Sequence, residues 1–260
     1  MKSRKSKRWV IKAGSSMVCS GGPLLLRAWM QQVAALKRDH GIEVIWVTSG
    51  AIASAVDRTQ FIRHLEKKTL SQKQALSAIG QPLVMDLYNL ALQTNGLIGA
   101  QVLLTYDDVA NKHRRANFIN TMEQLLAWDV TPVLNENDAV ATEEIKFGDN
   151  DTLSAKVACA MKADRLIILT DVEGLYDADP RQHKDAKLLN QLKGIFKKTL
   201  DSTGRHAGSP RGTGGMYSKL TAAKMAARQG IETWLVKGDG PQVLLKVAEN
   251  QTVGTRIQVK

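Results

Sequence analysis

Two lysines far apart in the chain, each beside a glycine turn, have the types and spacing that could do chemistry. Lys12 closes an apolar run and precedes Gly14-Ser15-Ser16, and Lys219 follows Thr213-Gly214-Gly215-Met216-Tyr217-Ser218. Tight glycine turns and helix N-termini aim backbone N–H groups at anions, so the pair reads as a phosphate-binding arrangement. Between them, Val130–Lys156 holds two polar clusters, Asn135-Glu136-Asn137-Asp138 and Gly148-Asp149-Asn150-Asp151. A helix cap needs one such side chain, and two clusters flanking one loop exceed that need.

Other chemistries find less support. The strings GxxxxGK[ST] and GxGxxG are absent, which removes the Walker loop and the dinucleotide fingerprint. Ser49 in TSGA has no histidine at a strand end to activate it, and GxSxG is absent. His40, His64, His113, His183 and His206 fall in helix ends or polar loops. Two lysines, clustered carboxylates and amides, and no general base suit phosphoryl transfer to an acceptor that is already anionic. Positioning and charge neutralisation supply most of the catalysis in that case.

The elements that must position these groups alternate. Strands are expected at Trp9–Lys12, Val44–Val47, Gln101–Leu104, Val130–Leu134, Arg165–Leu169 and Glu232–Val236. The tail, Gly254–Val259, alternates like an edge or hairpin strand. Helical spacing runs from Pro23 to His40, with Gly41 as C-cap, then through Met85–Leu92, Phe118–Trp128, Thr152–Met161, Leu220–Ala226 and Pro241–Ala248. Asp177–Leu188 is polar and reads as a surface excursion. Continuous β-branched runs alternating with helices mean a parallel sheet covered on both faces. Six strands end in AGSS, TSG, TYDD, NEND, TD and KG. Ligands bind outside the carboxyl ends of such strands, so these strings define one candidate rim.

With 260 residues, 43% of them hydrophobic, the chain can bury a full core. No apolar run reaches the roughly 18 residues of a membrane span. Cys19 and Cys159 match neither a disulfide framework nor zinc spacing, and read as reduced thiols of a cytoplasmic protein. The net charge is +11, and five of the positive groups lie in the first eight residues, read as a disordered basic leader. The remaining basic groups lack interleaved aromatics, which argues against nucleic-acid binding, while a positive field favours anionic substrates.

The strings VIKAGSS, VTSGAIA, NENDAVATEEIKFGDND, LTDVEGLYDADPR and GTGGMYSKLTAAKMA, in that order, resemble the amino-acid kinase family. The NENDAV…GDND pair with GTGGM…K is similar to the branch that phosphorylates L-glutamate. The resemblance implies a three-layer αβα sandwich with a central, mostly parallel sheet. It further implies one kinase domain over residues 9–260, its N-terminal part holding the acceptor and its C-terminal part the nucleotide. The implied reaction moves the γ-phosphoryl of ATP, with Mg²⁺, to the γ-carboxylate of L-glutamate, opening proline biosynthesis. Lys12 and Lys219 would flank the transferring phosphoryl and Asp151 would orient both. Ser49, Gly50, Asn135, Asp138, Asp149 and Asn150 would hold glutamate. The nucleotide would meet Lys12, Gly14, Ser15, Thr170, Asp171 and the run Thr213, Gly214, Gly215, Met216, Tyr217, Ser218 and Lys219.

The same resemblance implies a homo-oligomer, dimer or tetramer, coupling to glutamyl-phosphate reductase, and feedback by proline that rests on no residue in particular. The family often continues into an RNA-binding-like (PUA) domain, whereas this sequence ends at Lys260. HRRANFINT matches the family only loosely, and TSGAIASAV lacks a glycine common there. Alternatives are a kinase of the same fold acting on acetylglutamate, aspartate, carbamate or a nucleoside monophosphate, and a non-catalytic sensor of an amino acid or RNA.

Overall fold

The structure is a computed structural model describing residues 7–59, 68–141, 150–180, 182–194 and 215–259. Its strands are β1 (Lys7–Ala13), β2 (Ile42–Val47), β3 (Gly99–Leu104), β4 (Thr131–Glu136), β5 (Arg165–Thr170), β6 (Gln191–Lys193), β7 (Glu232–Lys237) and β8 (Thr255–Gln258). They form one sheet in the order β3-β4-β2-β1-β5-β7-β8-β6. The first six positions in that order are parallel. β8 is antiparallel to β7, and β6 runs parallel to β8. The carboxyl ends of six neighbouring strands therefore share one edge, as the polar strand endings require.

The helices are α1 (Ser15–His40), α2 (Ala51–Arg58), α3 (Leu70–Gln93), α4 (Tyr106–Ala110), α5 (Lys112–Ala127), α6 (Asn150–Ala160), α7 (Met216–Ala227) and α8 (Val243–Ala248). Alternation along β1 divides the core. Trp9, Ile11 and Ala13 face a cluster that includes Trp29 and Leu36 of α1, Tyr88 and Leu92 of α3, and Leu244 of α8. Val10 faces the other cluster, with Met122 of α5, Leu153 and Val157 of α6, and Leu220 and Ala223 of α7. The architecture is α/β, three layers with the mostly parallel sheet in the middle. No described helix is long and apolar enough to cross a membrane.

Four details depart from the expected elements. β1 starts at Lys7, two residues inside the expected leader, because Arg8 is paired with Glu43 at 2.8 Å and Glu123 at 2.7 Å. α1 begins at Ser15 instead of Pro23 and is broken at Gly22, whose φ of 58° suits glycine. Pro23 then opens the longer segment, where its missing N–H is harmless. Gly41, with φ 61°, ends it as expected. The tail strand β8 is not an edge strand: three-residue β6 covers it, and no apolar pattern in Gln191–Lys193 announced that strand. Finally, α2 was not anticipated in Ala51–Arg58, where only Ala51 and Ala55 are buried. The polar excursion is largely exposed and closed at its base by a Tyr176–Leu188 bridge.

Candidate active site

Lys12 lies two residues beyond Val10 on β1 and so takes the α6–α7 face of the sheet. The chain crosses from β4 to β5 through α6, passing the point beside β1 where the strand order changes direction. Crevices at such points are where open α/β sheets bind ligands. Asp151, in the first turn of α6, meets Lys12 there, with Nζ 2.6 Å from Oδ1. Lys219, from the first turn of α7, approaches Oδ2 at 3.3 Å, and the Ser218 hydroxyl donates to the same oxygen at 2.6 Å. The two lysines thus converge on one carboxylate.

Asp151 is wholly buried, Lys12 and Lys219 nearly so. Burial pushes the Asp151 carboxyl up. The charge of Lys12, then that of Lys219, with hydrogen bonds from Lys12 and Ser218, outweighs this and holds it well below the usual carboxylate range. Such a carboxylate stays an anion at any working pH, fixing both ammonium groups. Gly14, which precedes α1, leaves room for this: a Cβ there would stand 3.4 Å from the Lys12 ammonium.

On the β2–β4 side the groups are amides and hydroxyls. Asn150 Nδ2 reaches the Thr48 carbonyl at 2.6 Å, Ser49 Oγ at 2.8 Å and Asn135 Oδ1 at 2.7 Å. Gly50, with φ 99°, turns the chain from Ser49 into α2. Asp138 is partly buried in the turn after β4. Thr170 ends β5, its hydroxyl 3.2 Å from the exposed Asp171 carboxylate, and Gly238 donates to the Thr170 carbonyl. Ser15 opens α1, Gly215 precedes α7, Tyr217 is partly buried, and Met216 packs against the core beneath α6 and α7. Asp149, Thr213 and Gly214 lie outside the described residues.

The structure gathers the sequence-derived residues into two adjoining groups on one rim. Lys12, Asp151, Ser218 and Lys219 form one; Ser49, Asn135 and Asn150 form the other, joined to it through the Asn150–Asp151 step. Ser218, grouped with the nucleotide residues by resemblance, turns its hydroxyl toward Asp151. The sequence reading missed Gln81, whose Oε1 accepts from Asn135 Nδ2 at 2.7 Å. A signal existed: Gly80-Gln81-Pro82 places two poor helix formers inside a long helix. Lys237, set on the rim by its strand ending but given no role there, ends β7 beside Thr170 and lies 3.7 Å from Glu173 and 3.6 Å from Asp239.

Comparison with known proteins places the chain in a family. Residues 7–237 match the amino acid kinase family. A glutamate 5-kinase of Chromobacterium violaceum is 44% identical over 256 residues, 97% of this chain and 68% of that protein. A glutamate 5-kinase of Trichlorobacter lovleyi is 45% identical over 96% of this chain and 66% of its own length. The chain therefore spans about two thirds of the length of such relatives. In fold it is similar to the crystal structure of UMP kinase from Bacillus anthracis, with a TM-score of 0.65, 15% identity, and 98% and 96% of the two chains covered.

Proposed function

The chain belongs to the amino acid kinase family, in its glutamate 5-kinase branch, and from that premise we propose that it phosphorylates the γ-carboxylate of L-glutamate with ATP, the first step of proline biosynthesis. The observation carrying the mechanism is the convergence of Lys12 and Lys219 on buried Asp151. A γ-carboxylate has a reference pKa of about 4.3 and arrives ionised. Its oxygen attacks the γ-phosphorus, the bond to the β-phosphate oxygen breaks, and ADP leaves with that electron pair. No proton moves and no base is needed.

The difficulty is repulsion. Two like unit charges at about 4 Å repel by roughly 4 kcal/mol at an effective dielectric of about 20. The lysine ammonium groups offset this and hold the equatorial oxygens as charge shifts in the transition state. Asp151 keeps both in place. Ser49, Gly50, Asn135 and Asn150 form the acceptor pocket, with Asp138 as counter-charge for the substrate ammonium and Asp149 assigned to glutamate by the family resemblance alone. Gly14, Ser15, Thr170, Asp171 and Thr213–Lys219 hold the nucleotide.

The residues present suit a Mg²⁺ ion that arrives on the nucleotide: both Asp151 oxygens face cations or a hydroxyl. No three described His, Cys, Asp or Glu residues are grouped as a metal cage. Carried in by the nucleotide, the ion would add charge neutralisation. Cys19 and Cys159, present as thiols and not as a disulfide, suit a reducing compartment, and the cytoplasm is the proposed location. Assembly into dimers or tetramers and handover of the acyl phosphate to glutamyl-phosphate reductase are proposed on family membership.

The test is ADP release from Mg-ATP with each acceptor in turn, the acyl phosphate trapped with hydroxylamine. Hydroxamate is expected with L-glutamate and not with acetylglutamate, aspartate or carbamate. Turnover of another acceptor in its place would overturn the reading. A nucleotide acceptor, as in the UMP kinase of similar fold, would call for arginines at its phosphate, and this pocket offers Ser49, Asn135 and Asn150.

A further inference from the structure

Three side-chain amides and a hydroxyl form a line: Gln81, Asn135, Asn150 and Ser49. Two backbone groups fix its polarity. The Thr48 carbonyl can only accept, so Asn150 turns Nδ2 to it, at 2.6 Å. The Glu136 N–H can only donate, so Asn135 turns Oδ1 to it, at 3.0 Å. The two amides then meet as donor and acceptor at 2.7 Å. What remains of Asn135 is its NH₂, and Gln81 Oε1 receives it at 2.7 Å. Asn135 is 2% exposed and Gln81 7%, so the bond is made away from water, where an amide N–H left without an acceptor is costly.

The line has an outcome at its other end. Ser49 Oγ lies 2.8 Å from Asn150 Nδ2, whose two hydrogens go to Thr48 and Asn135 and which cannot itself accept, so the serine hydrogen points elsewhere, and no described residue accepts it. Asn150 Oδ1 likewise has no donor among the described residues. The pocket is handed a hydroxyl donor, suited to a carboxylate, and an amide acceptor, suited to an ammonium. That is the pattern of an amino acid.

We propose that Gln81 is a positioning residue of the acceptor pocket, acting through Asn135 to hold Asn150 and Ser49 in this donor–acceptor order. The proposal rests on the carboxylate-kinase reading above. Gln81 is seated by its neighbour: Gly80 lets α3 press directly on the backbone of α2, where a Cβ would stand 1.7 Å from the Ala51 carbonyl.

The test uses the full chain and Gln81→Met, which keeps the length of the side chain and removes the acceptor oxygen. With Mg-ATP and L-glutamate, KM for glutamate should rise about tenfold or more, the scale of an unsatisfied buried amide. KM for ATP and kcat should stay within about twofold, because only acceptor binding is lost. An unchanged KM for glutamate, or a KM for ATP rising in step with it, overturns the proposal. Adding Gln81→Met to Asn135→Ala should cost nothing further, since Gln81 acts through Asn135, and additive losses would equally refute it. Should the methionine variant fail to fold by circular dichroism, Gln81→Leu, which also removes the acceptor oxygen and fills the space against water, takes its place, and the same changes in KM support or overturn the proposal. If the wild type gives no hydroxamate with glutamate, the functional reading falls. Gln81 is then judged by the same KM comparison on whichever acceptor is turned over.

Discussion

The Lys12 ammonium lies 2.6 Å from an Asp151 carboxylate that has no exposure to solvent. Removing one partner of a buried ion pair leaves the other charge uncompensated, which costs about 3–5 kcal/mol. Asp151→Asn is expected to lose stability on that scale at pH 7, measured by urea unfolding. The pH dependence has a definite sign. A carboxyl held low in the folded state contributes stability that is present above its unfolded value, near 4, and lost as pH falls toward the folded value. The gap between wild type and variant should therefore persist down to about pH 4 and narrow only below it. A gap that closes between pH 7 and 5 would contradict the assignment.

Lys219→Ala separates catalysis from stability. Asp151 keeps its closer partner, Lys12, and its bond from Ser218, so the fold should survive with a modest loss. kcat for ADP release should fall by about 10²–10³, the usual effect of deleting one transition-state donor. Near-normal kcat in a folded variant would remove Lys219 from the mechanism. Lys12→Ala should lose activity in the same way and stability more severely.

Tyr88 gives the molecule an alkaline limit. It is fully buried, and burial pushes its phenol up to about 12, against the hydrogen bonds from Thr48 and Trp46. An acid raised in the folded state contributes stability that is complete below its unfolded value, near 10, and lost as pH rises toward 12. One of the four tyrosines should thus titrate late in absorbance at 295 nm. Tyr88→Phe should abolish that step and flatten the decline in stability between pH 10 and 12. It leaves the Trp46 indole N–H unpaired and should cost about 1–3 kcal/mol at neutral pH.

Lys12 and Lys219 were legible because each stands at a strand end or helix start near a glycine turn, Asp151 through the family resemblance, and the parallel sheet through its continuous apolar runs, whereas the strand order was not stated by the sequence. Asn135 and Asn150 were legible because two polar clusters in a basic chain exceed what caps require. Gln81 was hidden for a physical reason. A helix presents a residue to the site by its angular position, and that depends on how α3 docks on α2, which one sequence does not state. β6 was hidden because three residues paired at a sheet edge need no apolar pattern. The start of α1 was hidden because Ser15–Gly22 is a poor helix by propensity, formed through packing of Met17 and Val18.

Gly80 ties the acceptor pocket to the core and allows a test of that link. A Cβ at this position would stand 1.7 Å from the Ala51 carbonyl oxygen and 3.1 Å from the Ala55 nitrogen. Both are backbone atoms of α2, so no rotamer change relieves the overlap, and α2 must move away from α3. Overpacking of this kind costs about 1–3 kcal/mol, occasionally more. Ala51 directly follows Ser49 and Gly50, so the displacement enters the acceptor pocket, whereas Lys219 and Gly215 hang from α7 on the opposite face. Gly80→Ala should lower the urea midpoint and raise KM for glutamate while leaving KM for ATP near its wild-type value. Gly96→Ala is the control. Its φ of 71° strains any side chain, yet nothing lies within 4 Å of the added methyl. It should lose stability without touching either KM. Equal effects of the two variants on glutamate would mean that general loosening, and not the α2–α3 contact, governs the pocket.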